Sequence, residues 1–177
     1  MCGRLLDLPA WLKFAPDGTL LAQWGAGMFI MPHGISIDVS DARGPLVWVP
    51  SRSQNQLKAF TLDGKHVDTL DLPGAFAGQL CFRGDKAYAA VCWSKDAQGR
   101  RLNQSGFIVV LDRVTKKVLS APGASEPRYV DGKLQPLSQA QPVFKHGHDL
   151  YVDAAGDIYV GEWNAQRRYP SKLTLAK

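Results

Sequence analysis

The chain has 177 residues, with 21 Lys+Arg against 16 Asp+Glu for a net charge of +5 and a pI near 9.2. That length suits one domain with a real core, and 45% hydrophobic with 21% charged residues is a globular rather than a disordered balance. Basic residues never run beyond two together, which excludes a nucleic-acid stripe or polybasic membrane patch, and no apolar run approaches the roughly 18 residues of a membrane-spanning helix.

In chain order, Met1-Cys2-Gly3-Arg4-Leu5-Leu6-Asp7 lacks a basic region followed by an apolar one, so no signal peptide is predicted. Leu12-Lys13-Phe14, the turn Ala15-Pro16-Asp17-Gly18 and residues 19–24 read as strand, tight turn, strand. Pro presets φ there and Gly supplies a positive φ. The same device returns at residues 57–62, with a turn at Asp63-Gly64 and a strand over 66–72. Aligning Phe14 with Phe60 sets a period of 46 residues, the size expected of propeller blades built from short strands.

A second pattern reinforces the first. Pro32-His33-Gly34-Ile35-Ser36-Ile37-Asp38 leads into Leu46-Val47-Trp48-Val49, and Gly147-His148-Asp149-Leu150-Tyr151-Val152-Asp153 leads into Asp157-Ile158-Tyr159-Val160. Each has a His, an alternating strand ending in Asp, a turn and an apolar strand. Gly78-Gln79-Leu80-Cys81-Phe82, the turn Gly84-Asp85 and residues 87–92 form a degenerate copy, which residues 107–111 and 117–119 would finish. Residues 94–105 and 121–145 are polar or Pro-rich and read as long loops. Asp38 and Asp153 read as turn formers, His66 as a surface residue and Trp24, Trp48, Trp93 and Trp163 as plugs at strand ends. Cys2, Cys81 and Cys92 lack CxxC spacing and cannot all pair within one chain, which leaves the compartment open. Cys81 and Cys92 either face each other across adjacent strands or are buried free thiols.

The expected fold is all-β: one domain over 1–177, a β-propeller of about three and a half blades. Closed propellers carry 4–8, so missing upstream blades or a second copy would complete it. An open arc would otherwise expose strand edges and apolar faces.

The runs Leu12-Lys13-Phe14-Ala15-Pro16-Asp17-Gly18, Met31-Pro32-His33-Gly34-Ile35-Ser36-Ile37-Asp38 and His148-Asp149-Leu150-Tyr151-Val152-Asp153 resemble NHL-type repeats. They are most similar to the six-bladed propeller of peptidylglycine α-hydroxyglycine amidating lyases and their bacterial relatives, which are often exported. The tail from Gly161-Glu162-Trp163 through Arg167-Arg168-Tyr169 to Leu173 resembles the final blade of such propellers. The resemblance implies Zn²⁺ on the propeller axis, held by three histidines, of which His33 and His148 match two; neutral imidazoles suit that ion. It also implies a structural Ca²⁺, supported by Asp149 and lying near the Ile35 carbonyl.

The match is incomplete. The degenerate copy has Ala77-Gly78-Gln79-Leu80 where the third histidine would stand. Neither Tyr88 nor Tyr129 sits in the Gly-rich turn of the family's catalytic tyrosine. His146 is either a replacement ligand or a loop residue; Asp149 is a calcium ligand, an imidazole-orienting partner or a turn cap. Arg52 and Glu162 either approach the channel mouth or are solvated loop charges.

No Walker lysine or GxSxG elbow is present. Three functions follow as expectations. The first is a metal-stabilised binding scaffold without full lyase activity. The second is a zinc-dependent lyase or hydrolase acting on peptide-like or small carboxylate substrates, with Arg52 orienting the carboxylate. The third is a metal-free protein–protein interaction propeller.

Overall fold

A computed structural model describes residues 8–139, 143–166 and 170–174. Residues 1–7, with Cys2, and Arg167, Arg168 and Tyr169 of the tail lie outside the described residues. Every element among those described is a β-strand: β1 (Trp11–Phe14), β2 (Leu20–Trp24), β3 (Ser36–Asp38), β4 (Leu46–Ser51), β5 (Gln56–Thr61), β6 (His66–Asp71), β7 (Ala75–Arg83), β8 (Lys86–Trp93), β9 (Phe107–Asp112), β10 (Val118–Ser120), β11 (Tyr129–Val130), β12 (Lys133–Leu134), β13 (Gly147–Val152), β14 (Ile158–Glu162) and β15 (Ser171–Leu173). The protein is all-β, and no helix is long and apolar enough to cross a membrane.

The strands form small antiparallel sheets in sequence order: β1-β2, β3-β4-β5-β6, β7-β8-β9-β10, β11-β12 and β13-β14-β15. Short turns impose this order, because consecutive strands joined by a few residues pair antiparallel. Among the three larger sheets, β7 packs against β3 and β4 on one side and against β13 on the other.

Alternation within single strands holds the stack together. Leu46 and Trp48 of β4 enter one core cluster, with Leu57 and Ala59 of β5 and Ala87, Ala89 and Val91 of β8. The intervening Val47 and Val49 face the opposite way and join Phe29, Phe60, Trp11 and Trp24 over the β1-β2 hairpin. In β9, Phe107, Val109 and Leu111 belong to the first cluster, while Ile108 and Val110 meet Leu150, Val152, Ile158 and Val160 of the last sheet. The middle strands are therefore apolar at consecutive positions, as strands covered on both faces must be.

At the far ends of these strands, Arg113 donates to the Asp38 carboxylate, to Ser40 and to the Gly84 carbonyl. Asp38 does form a turn, accepting the Ser40 N–H at 3.0 Å, but it is also buried and ion-paired, at 3% exposure. A carboxylate that deep persists only with a partner, and Arg113 thereby ties the second sheet to the third.

Other expectations are refined or corrected. Residues 94–105 fold back through a Lys95–Arg101 bridge, because the Asp96 carboxylate accepts the Gln98 and Arg100 amides at 2.9 and 2.8 Å. Residues 121–145 contain the β11-β12 hairpin, whose turn residues Asp131 and Gly132 have φ of 48° and 75°, the geometry Asp-Gly favours. Cys81 lies opposite Tyr88, so the two thiols do not face each other; both are free, Cys92 buried and Cys81 half-buried. His66 is exposed as expected, whereas Trp48 lies within β4 and is fully buried.

Phe107 has no solvent exposure and Tyr151 has 63%. Phe107→Ala is expected to cost about 3–5 kcal/mol, against about 0.5 kcal/mol or less for Tyr151→Ala. Urea denaturation followed by tryptophan fluorescence checks the contrast.

Candidate functional site

Three backbone irregularities shape the site. His33 lies just before β3, between Met31 at φ 57° and Gly34 at φ 71°, with its N–H donated to the Pro50 carbonyl at 2.9 Å. In β7 the register shifts between Ala77 and Leu80, and in β13 between Gly147 and Asp149. Bulges re-aim side chains, and the shift in β13 falls on His148.

Glycine lets the strands approach. A Cβ at Gly78 would lie 2.1 Å from the His148 carbonyl oxygen, and one at Gly106 would lie 2.3 Å from the Gly147 nitrogen. Backbone-to-backbone packing this close leaves no room for a side chain. The same approach carries His148 to His33: their rings meet edge to face with centroids 4.6 Å apart.

Arg52, just beyond β4, joins them. Its Nη1 lies 3.2 Å from His148 Nε2, and its Nη2 donates to Cys92 Sγ at 3.4 Å. A guanidinium has no acceptor, so this contact is a hydrogen bond only when Nε2 is unprotonated and Nδ1 carries the proton. Burial lowers the His33 and His148 pKa values below the ordinary 6.5, and the Arg52 charge lowers both further. Asp149 opposes this in both cases, and His33 adds to the lowering at His148. Burial pushes the Cys92 thiol upward against the pull of Arg52.

Around Arg52 stands an aromatic wall. Its Cζ lies 5.6 Å from the Phe76 ring and 5.9 Å from that of Trp163. Arg101 sits 4.4 Å over Trp93 and 5.5 Å over Phe76. His146 packs between Trp93 and Trp163, at 5.3 and 5.7 Å, and donates from Nδ1 to the Trp163 carbonyl at 2.8 Å. Glu162 Oε2 accepts the Lys145 and His146 amides at 2.6 and 3.3 Å, so neither Arg52 nor Glu162 is merely a solvated loop charge.

The structure thus brings His33, His148 and Arg52 together. His146 is turned into the aromatic wall. Asp149 is exposed, and its Oδ1 accepts the neighbouring Leu150 amide at 2.8 Å. Ile35 is 50% exposed, and its carbonyl accepts from Gln79 Nε2 at 3.4 Å, which also reaches Ser36 Oγ at 3.4 Å. Sequence reasoning missed Phe76, Arg101 and Gln79 as site residues. Arg101 was hidden in a polar loop, and the positive φ of Phe76, 60°, leaves no mark in residue type.

The fit to the implied metals is partial. His33 and His148 are neutral nitrogen donors, and among the described residues the buried His33 Nδ1 has no hydrogen-bond partner. Among the described residues, however, no three His, Cys, Asp or Glu side chains gather as a metal set, and a cation already sits on His148 Nε2. A closed three-ligand zinc set is not met by these residues alone. At Ile35 an amide donor faces the carbonyl that calcium would use. The chain matches no family model and no curated protein.

Two predictions follow from this geometry. Replacing Gly by Ala at a compatible position stabilises by about 0.4–1 kcal/mol, but Gly78→Ala should destabilise by about 1–3 kcal/mol by forcing β7 and β13 apart. Urea denaturation gives the sign directly. Because the folded pKa values of His33 and His148 lie below 6.5, the unfolded chain binds protons more readily under mildly acidic conditions. Their contribution is fully present above pH 6.5 and is lost as pH falls toward the folded values. In metal-free buffer the melting temperature should drop below that pH, and less steeply in the double variant His33→Gln, His148→Gln.

Proposed function

We propose that this chain is a ligand-binding scaffold of the NHL-type β-propeller kind, whose seat is the His33–Arg52–His148 cluster. Two four-stranded meanders and a three-stranded sheet, stacked face to face with β3, β7 and β13 adjoining, support the propeller reading. Either a second copy or further blades would complete the arc. The observation that carries the functional reading is the bond from Arg52 to His148 beside His33. It places a guanidinium, a bidentate carboxylate partner, among imidazoles held neutral.

Chemically, the seat supplies hydrogen-bond donors and positive charge, which favours a small carboxylate or a carboxylate-bearing peptide. Neither His33 nor His148 is positioned on a nucleophile, so binding rather than turnover is the better-supported role. A second reading, Zn²⁺ binding, is favoured by the neutrality of both imidazoles and by the unpartnered His33 Nδ1. It requires a third donor from a partner copy or from further blades. Zn²⁺ held there would supply Lewis acidity for a lyase or hydrolase.

Acetate titrated by calorimetry tests the first reading. Binding to wild type, weakened roughly tenfold or more by Arg52→Gln, is expected; a tenfold change corresponds to about 1.4 kcal/mol. Equal or absent response in both proteins would overturn it. Native mass spectrometry with added Zn²⁺ decides the second reading. One ion kept by wild type and lost from His148→Gln supports it, and the same spectrum reports the number of copies.

A further inference from the structure

The charges of the molecule are compensated unevenly. A cavity of about 620 Å³ lies at the opposite strand ends among Asp38, Asp41, Arg43, Asp68, Arg113 and Lys116. There both guanidiniums are paired: Arg43 with Asp41 at 2.8 Å and Asp68 at 3.6 Å, and Arg113 with Asp38, while Lys116 donates to the Arg113 carbonyl. Four carboxylates, of Asp38, Asp41, Asp68 and Asp85, line it against the three cations Arg43, Arg113 and Lys116, so it does not favour an anion. At the aromatic wall the reverse holds. Among the described residues neither Arg52 nor Arg101 forms an ion pair, and the Arg101 guanidinium makes no hydrogen bond.

Both guanidiniums lie against the same ring, that of Phe76. Arg101 is held by its face, 4.4 Å over Trp93, and stacking through the face leaves the N–H edge free for an anion. The wall itself is open. Trp163 is 47% exposed, Phe76 is half-buried and Arg101 is exposed. Phe76 is also braced edge to face on Trp93, with centroids 4.8 Å apart. A half-buried ring flanked by two uncompensated cations suits a ligand that is apolar and flat at one end and anionic at the other, since aromatic rings favour edge-to-face or offset neighbours.

Resting on the carboxylate-seat reading above, we infer that the mouth formed by Phe76, Trp93, Arg101 and Trp163 selects aromatic anions. The ligand's ring lies against Phe76 and Trp163, and its anionic group meets Arg52 and Arg101. Aromatic character is what this wall adds to the carboxylate seat, and Arg101 is the residue that couples the two. The fold delivers Arg101 by the Lys95–Arg101 bridge, which turns residues 94–105 back over Trp93.

Three probes separate the contributions: benzoate, with ring and charge; acetate, with charge alone; and benzyl alcohol, with the ring alone. Calorimetric titration of the full chain should show benzoate binding at least roughly tenfold more tightly than either of the others. Arg101→Gln, an exposed position, should weaken benzoate roughly tenfold without moving the melting temperature. Phe76→Leu should bring benzoate down to the level of acetate. If acetate binds through Arg52 but benzoate gains nothing, the aromatic selection is overturned while the carboxylate seat stands. If neither anion binds, both fall. Benzoate binding that is indifferent to Arg101→Gln also overturns the inference.

Discussion

Close backbone contact between β7 and β13 is the constraint on which the site depends. Gly78 and Gly106 let β13 approach to a distance that any Cβ would prevent, and that approach brings His148 within ring contact of His33. Arg52 then closes the group from β4, because antiparallel pairing returns the end of β4 to the level where β3 begins. The side chains are distant in sequence and arrive together through packing of sheet on sheet rather than through any local motif.

The apolar stack underneath serves two ends at once. Consecutive residues of β4, β8 and β9 supply separate clusters on opposite faces, so each middle sheet is clamped between neighbours. A sheet so clamped keeps its strand ends fixed, and both Arg52 and Trp93 sit at such ends. Apolar burial contributes most of the stabilisation, while Arg113 on Asp38 sets the relative position of two sheets at the opposite end. Among the described residues, Arg52 and Arg101 form no ion pair at the aromatic wall, whereas Arg43 and Arg113 at the opposite end are paired.

Much of the architecture was legible. The Asp-Gly turns, the 46-residue spacing of Phe14 and Phe60 and the alternation around His33 and His148 located most of the main strands within a residue or two, though β7 begins at Ala75, three residues before the expected start at Gly78. Turn chemistry and period-two patterning are local, so residue type reports them directly. His33 and His148 were singled out as well, because each accompanies an alternating run that ends in Asp. Cys81 lies opposite Tyr88 because the short turn at Gly84-Asp85 sets the pairs next to it, from Arg83 with Lys86 outward, and the register shift between Ala77 and Leu80 lies beyond them. Arg101 was not legible, because its position depends on how residues 94–105 fold back rather than on what they are. Gln79 was visible only as a histidine that was not there, and its bonds to Ile35 and Ser36 need the neighbouring sheet.

By itself, the sequence determined that this chain folds into short antiparallel strands and where most of them lie, and it singled out the two histidines that the fold brings together. Those outcomes rest on interactions between residues a few positions apart, whose geometry follows from backbone preference and side-chain alternation. Only the tertiary structure decided that Arg52 lies on His148, that His146 turns away into an aromatic wall and that Arg101 has no ion-pair partner among the described residues. Each of these depends on the distance and register between separate sheets, set by glycine contacts and the shape of the apolar core, and no run of neighbouring residues encodes such a distance.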